Sequence, residues 1–223
     1  MHLAASPIGI RKREVVKEGP HLVNYRVQSD TSWLTAETLH LINKAQLQID
    51  LPDASSTEEL GRRLASLVSS KCIIALTGPL GAGKTTFAKG FAQGLGVQEV
   101  VSSPTFTMLN EYVSGKLPLY HLDLYRVRET GGSTNTSADA VLEWTQSELE
   151  EIIDGTGVIL IEWANFMDEW IAHHDCLSVE LNYSTKENSA GGKNLESTES
   201  GRKALISATG DSSTRIVEAL SQI

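Results

Sequence analysis

The sequence predicts an α/β fold, a three-layer sandwich with a mixed, largely parallel sheet between helices. Three observations carry this. "CIIALT", residues 72 to 77, is a short apolar run of the kind expected for a strand buried on both faces. "TGPLGAGKTTF", residues 77 to 87, follows it directly and leads into an apolar helical stripe formed by Phe87, Ala88, Phe91, Ala92 and Leu95. "GVILIEW" is a second buried run that ends on an acid, Glu162.

Taken in order, residues 1 to 45 mix charges, Ser and single apolar residues without sustained periodicity, and are read as an N-terminal extension with no assigned order. Residues 46 to 223 are read as one domain with insertions near 128 to 145 and 184 to 200. Leu47, Ile49 and Leu51 alternate as in a strand that Pro52-Asp53 ends. Ser56 and Glu59 fit a capping box ahead of Leu60, Leu64, Leu67 and Val68 at helical spacing. Gly96 suits the stop of the helix after the glycine loop. "TFTMLNEYV" and "LPLYHLDLYRV" read as strands joined through Ser114-Gly115, with His121, Asp123 and Tyr125 on one face of the second. "RETGGSTNTSADA" reads as a polar loop, "VLEWTQSELEEII" as a short helix, and "CLSVELNY" and "KALISAT" as strands. The segment between those two strands has only Ala190 and Leu195 as apolar residues and reads as a loop. A helix from about Ser213 closes the chain.

Composition narrows the function classes. A chain of 223 residues with 40% hydrophobic content can bury one sizeable core. A net charge of −9 argues against autonomous nucleic-acid binding, which needs a basic face, while leaving action on RNA through a partner open. Cys72 and Cys176 are too few and too far apart for a disulfide framework or a zinc site, and each lies in an apolar run as a structural thiol would. No apolar run is long enough to span a bilayer. The first residues lack the apolar core of a secretory signal, and their acids are unlike a transit peptide. The expectation is a soluble protein of the reducing cytoplasm.

The strand, glycine loop and helix form the setting that a phosphate-loop motif requires, so the fold expected is that of P-loop NTPases. Gly78, four further residues, then Gly83-Lys84-Thr85 is the spacing of a loop whose small residues let successive backbone N–H groups face phosphate oxygens. Candidate nucleotide contacts are Gly78, Leu80, Gly81, Ala82, Gly83, Lys84, Thr85 and Thr86. Lys84 would reach the outer phosphates, and the Thr85 hydroxyl would ligate Mg²⁺. Mg²⁺ also calls for hard oxygens at a neighbouring strand end, for which Asp123 and Glu162 are the candidates. The bland readings are a carboxylate leaving to solvent for Glu162 and a solvated edge strand for Asp123. His121 alone reads as structural or orienting. Ser103 and Thr105 in "SSPTFT" could sense a terminal phosphate, or could belong to an ordinary Ser-Pro-Thr turn.

"LTGPLGAGKTTFAKGFAQGLG", "VSSPTFTMLNEY", "LYHLDLYR" and "VILIEW", in this order and spacing, resemble the bacterial TsaE family, and "LPDASSTEELGRRLA" resembles that family's N-terminal strand and helix. The resemblance covers residues 47 to 126 and 157 to 183, with a weaker return at "GRKALISA". It implies a Mg²⁺-dependent ATPase required for threonylcarbamoyladenosine formation on tRNA, joined to TsaD and TsaB and meeting tRNA only through that complex. By this resemblance Lys84 and Thr85 would serve phosphate and Mg²⁺, and Glu162 would be the second acidic Mg²⁺ group. Asp123 would assist hydrolysis, Thr105 and Ser103 would belong to a switch segment, and Thr57 would touch the base or ribose. Trp163 would lie beside the site in either a packing or a functional role. The sequence departs from the family after "DLYR", in the loop at 184 to 200 and in the first 45 residues.

Two other readings use the same loop. A small-molecule kinase would be expected to carry an arginine-rich lid, whereas beyond the loop there are only Arg126, Arg128, Arg202 and Arg215. A GTPase would carry Asn-Lys-x-Asp downstream, and "NKAQ" at 43 to 46 lacks the Asp and lies upstream. A non-hydrolysing, nucleotide-dependent assembly factor would need the same binding residues as a slow ATPase.

Overall fold

The computed structural model describes residues 14–17, 23–26, 46–130, 136–153, 155–184 and 201–222, with the backbone alone for 14–17, 23–26, 128–130 and 136–144. Two short strands, β1 (Glu14–Lys17) and β2 (Val23–Arg26), pair antiparallel within the segment read as lacking periodicity. Each is only four residues long, too short to show a period of two clearly.

Seven strands form the main sheet in the order β3-β9-β8-β4-β7-β6-β5. They are β3 (Gln46–Leu51), β4 (Cys72–Thr77), β5 (Leu109–Tyr112), β6 (Leu119–Asp123), β7 (Val158–Glu162), β8 (Cys176–Tyr183) and β9 (Arg202–Ala208). The neighbours β8-β4-β7-β6 are parallel, and β3 is antiparallel to β9, which is antiparallel to β8. Five strands therefore point one way, and only β9 and β5 oppose them.

Helices cover both faces. On one lie α1 (Ala54–Leu67), α2 (Lys84–Leu95) and α6 (Asp211–Leu220), whose Leu60, Leu64, Phe87, Phe91 and Val217 pack on Ile74 and Leu76. On the other lie α3 (Tyr125–Thr130), α4 (Thr136–Ile153) and α5 (Asp168–Ile171), with Val127, Leu149 and Trp170 packing towards Ile73 and Ala75. Alternation along β4 thus feeds two cores, as a centrally buried parallel strand must. Each fully buried Phe of α2 contributes about 1.5–3 kcal/mol. Among the described residues no helix is long and apolar enough to cross a membrane.

Three local expectations are corrected. The capping box of α1 is Asp53 with Ser56, not Ser56 with Glu59. Asp53 Oδ1 accepts from the Ser56 N–H at 2.7 Å, and the Ser56 hydroxyl accepts from the Asp53 N–H at 3.0 Å. The helix starts one turn earlier than expected, which leaves Glu59 free to pair with Arg62 and Arg63 on the exposed face. The strand "LPLYHLDLYRV" ends at Asp123, and the chain turns into α3 at Tyr125. The polar loop "RETGGSTNTSADA" is largely helix, because α3 runs to Thr130 and α4 begins at Thr136, with residues 131 to 135 outside the described set. Its Thr, Ser and Gly content favours loops locally, but Val127 is buried on the sheet and draws the chain into a helix. The expected loop at 184 to 200 lies outside the described residues beyond Ser184.

Two helices cross at glycines. A Cβ built on Gly90 of α2 would lie 2.0 Å from the Glu58 carbonyl oxygen of α1. The close crossing brings Thr57 of α1 against the start of α2.

Candidate nucleotide-binding site

The loop between β4 and α2 sits over the C-terminal end of the central strand, where an open α/β sheet places its ligands. Gly78 has φ 131°, and a Cβ there would lie 2.0 Å from the Leu181 carbonyl oxygen, so the loop packs directly on β8. The Lys84 amino group is buried, donating to the carbonyls of Gly78 at 2.8 Å and Pro79 at 3.0 Å. It also lies 3.7 Å from the centroid of the Trp163 ring, a cation–π contact. Trp163 is able to reach it because its own backbone is left-handed, φ 61°, immediately after β7. Such a conformation is unfavourable for a bulky residue, and residues of this kind cluster at functional sites.

The two strand-end acids are neighbours. In the parallel ladder of β6 and β7, Asp123 pairs in register with Glu162, and Leu76 of β4 flanks Glu162 on its other side. Both carboxylates are buried, at 3% and 2% exposure. Glu162 Oε2 accepts from the Thr85 hydroxyl at 2.9 Å, and Oε1 lies 2.9 Å from His121 Nε2. The His121 Nδ1 atom is buried and has no hydrogen-bond partner. Asp123 Oδ2 accepts from the hydroxyls of Ser103 and Thr105, the latter at 2.7 Å, while Oδ1 accepts from the Tyr125 N–H at 2.9 Å. Ser103 and Thr105 also touch each other, hydroxyl to hydroxyl, at 2.7 Å.

Lys84, Thr85, Trp163, the two carboxylates and the Ser103–Thr105 pair line one cleft of about 470 Å³. Of the sequence-derived candidates, Leu80, Gly81, Gly83, Lys84, Thr85, Thr86, Ser103, Thr105, Asp123 and Glu162 border it. Gly78, Ala82 and Thr57 do not. Ala82 is wholly buried. Thr57 is also buried, with its hydroxyl donating to the Asp53 carbonyl at 3.2 Å and its side chain beside Gly83. Tyr125 lines the cleft and was not among the candidates. The hint was its place two residues after Asp123, where a turn out of the strand returns its N–H to the carboxylate.

The sequence profile described as "Threonylcarbamoyl adenosine biosynthesis protein TsaE" matches residues 51–191, a span that holds every group of the cleft. The chain belongs to the TsaE family.

Its TsaE relatives agree. The protein of Bacillus subtilis named tRNA threonylcarbamoyladenosine biosynthesis protein TsaE is 40% identical over 124 residues, 56% of this chain and 70% of that one. A protein of the same name from Nostoc is 42% identical over 120 residues, 54% of this chain and 69% of that one. A third, from Synechocystis, is 48% identical over 86 residues, 39% of this chain and 55% of that one. Among solved structures, a crystal structure of YdiB from Bacillus subtilis is similar with a TM-score of 0.58 and 29% identity, covering 79% of this chain and 95% of that chain.

The donor set of this TsaE-family site suits Mg²⁺ that takes its remaining ligands from phosphate and water. It offers one hydroxyl, Thr85, bonded to one carboxylate, Glu162, both hard oxygen donors. It does not suit an all-protein metal cage, since no group of three or more His, Cys, Asp or Glu among the described residues could hold an ion. Cys72 and Cys176 are buried free thiols, and burial pushes each up to about 12, so both are inert packing groups.

Proposed function

We propose that this TsaE-family chain binds and hydrolyses ATP with Mg²⁺, supporting threonylcarbamoyladenosine formation on tRNA together with TsaD and TsaB homologues. The observation that carries the reading is the Thr85–Glu162 hydrogen bond at the mouth of the glycine loop, with Asp123 in register beside it. Bound Mg²⁺ would neutralise charge on the phosphates and lower the barrier to attack by water. Thr85 and Glu162 are the protein groups to hold it. Lys84 is the cation for the outer phosphates, its position supported by the Trp163 ring. Asp123 is the group to orient the attacking water, and its hydrogen bonds tie the Ser103–Thr105 segment to the same carboxylate. Thr57 backs the loop at Gly83 and would act through it. Residues 46 to 223 would form the ATPase unit, with residues 1 to 45 as an extension. The net charge of −9 favours contact with tRNA through partners over direct binding, and the cytoplasm is the compartment proposed.

A reconstituted modification assay with TsaD and TsaB homologues tests this. Lys84→Ala and Glu162→Ala should each abolish ATP turnover, and normal tRNA modification with either variant would overturn the mechanism.

A further inference from the structure

Nothing in the glycine-loop motif itself says what sets the facing of its exposed peptide groups. We propose that Tyr183 and Arg202, the last residue of β8 and the first of β9, are positioning residues for the phosphate loop. Tyr183 acts by fixing which way the Leu80–Gly81 peptide faces, and Arg202 acts by holding the Tyr183 ring and the Gly81 carbonyl of the next peptide. The inference rests on the nucleotide-binding reading above and adds two residues from outside the motif.

The Tyr183 hydroxyl donates to the Leu80 carbonyl oxygen at 2.7 Å. Tyr183 follows Leu181 by two residues on β8, and Leu181 is the residue against which Gly78 packs, so one strand backs both ends of the loop's turn. A Cβ built on Gly81 would stand 2.8 Å from the Tyr183 hydroxyl, which places the phenol directly against the loop. Arg202 is the ladder partner of Tyr183. Its guanidinium carbon lies 5.9 Å from the Tyr183 ring centroid, and Nη2 is 3.5 Å from the Gly81 carbonyl oxygen.

A trans peptide is planar, so its carbonyl and the following N–H point in opposite directions. Holding the Leu80 carbonyl towards Tyr183 therefore turns the Gly81 N–H the other way. The carbonyls of Gly78 and Pro79 are held by Lys84 instead, and that of Pro79 also accepts from the Ala82 N–H at 3.2 Å. The Leu80 carbonyl is thus the one whose direction β8 sets. Gly81 has φ 77° and no Cβ, so this peptide can flip at small steric cost. A flipped peptide would present an acceptor where a phosphate needs a donor.

The test is a calorimetric titration of the full chain with ATP and Mg²⁺, for wild type, Lys84→Ala, Tyr183→Phe and Arg202→Gln. Tyr183→Phe removes one oxygen and should weaken ATP binding roughly five- to tenfold, the worth of one hydrogen bond. Its nucleotide-free unfolding midpoint should stay within about a degree of wild type, which a purely structural role would not give. Arg202→Gln should have a smaller effect in the same direction. Tyr183→Phe binding ATP within twofold of wild type overturns the inference, as does a loss of affinity matched by a fall in the midpoint. If wild type itself fails to bind ATP more tightly than Lys84→Ala, the nucleotide reading falls and takes this inference with it.

Discussion

The His121 Nε2 atom lies 2.9 Å from Glu162 Oε1, and the two side chains are buried at 0% and 3% exposure. A carboxylate only accepts, so the ring proton belongs on Nε2 between them. With Thr85 on the other oxygen, each Glu162 oxygen has one protein partner and the carboxylate plane is fixed. His121→Leu should leave Oε1 buried without a donor, lowering stability by about 1–3 kcal/mol in urea denaturation. It should also raise the Mg²⁺ needed for half-maximal turnover by about tenfold, the order seen when a partner supporting a metal ligand is lost. An unchanged Mg²⁺ requirement would confine His121 to packing.

Glu162→Gln keeps the shape and removes the charge. ATP turnover should fall by about 100-fold or more, the scale for loss of a group that stabilises transition-state charge. ATP affinity measured in EDTA should hardly move. Phosphate release in the reconstituted system reads the first, and calorimetry reads the second.

The Trp163 ring lies under the Lys84 amino group and makes a tilted contact with Tyr125, the ring centroids 5.3 Å apart. Nucleotide binding at Lys84 should change the tryptophan fluorescence, and Trp163→Phe should remove most of that change although Trp33, Trp144 and Trp170 remain. Replacing it with Leu should cost about 0.5–2 kcal/mol of ATP affinity through the lost cation–π contact. A fluorescence response that survives Trp163→Phe would place the nucleotide elsewhere.

The crossing of α1 and α2 tolerates no side chain at Gly90, where a Cβ would be 2.0 Å from the Glu58 carbonyl oxygen. Gly90→Ala should lower stability by at least about 1–3 kcal/mol, the range for overpacking, despite the better helix propensity of Ala. A urea midpoint at or above wild type would contradict the packing.

Asp175 reaches from the turn before β8 to cap α6, accepting from the N–H groups of Ser212 at 2.8 Å and Ser213 at 3.0 Å. Partial burial pushes its carboxyl up, but the combined hydrogen bonds from Ser213 and Ser212 outweigh it and leave the group below the ordinary value of 3.8. A lowered folded-state value means stability that is present above the unfolded pKa and is lost as pH falls through the folded one. Asp175→Asn removes the charge and one of the two acceptors and should therefore cost about 1 kcal/mol at neutral pH, the worth of one hydrogen bond, with the difference from wild type closing below about pH 4. Parallel denaturation curves at pH 7 and pH 3.5 check it, and an equal difference at both would disprove the electrostatic origin.

Those parts of the site that depend on neighbours along the chain were legible in the sequence. The strand, glycine loop and helix from Cys72 to Leu95 are specified by residues within a few positions of one another. Asp123 and Glu162 stood out as acids at strand ends, but that their strands are adjacent and in register is a matter of sheet order, which no local pattern encodes. The same holds for the bond from Tyr183 to Leu80, which spans 103 positions. The cap of α1 was misplaced by one turn because Asp53 and Ser56 both satisfy the local rule, and only the position of the helix start decides between them. Helix α3 was missed because strand alternation from Leu119 onward runs smoothly into "LYRV", and the turn at Leu124 is set by its N–H donating to the Glu162 carbonyl at 3.1 Å.

The register between Asp123 and Glu162 makes the sheet a ruler. Adjacent strands sit about 4.8 Å apart wherever they pair, so the backbones bearing the two acids are held at one spacing. Whatever moves during a cycle, those two points cannot part without tearing the ladder. Reach, and not charge alone, then becomes the quantity the site controls. Lengthening Asp123 to Glu keeps the charge yet pushes the carboxylate one methylene beyond the hydroxyls of Ser103 and Thr105 that meet it.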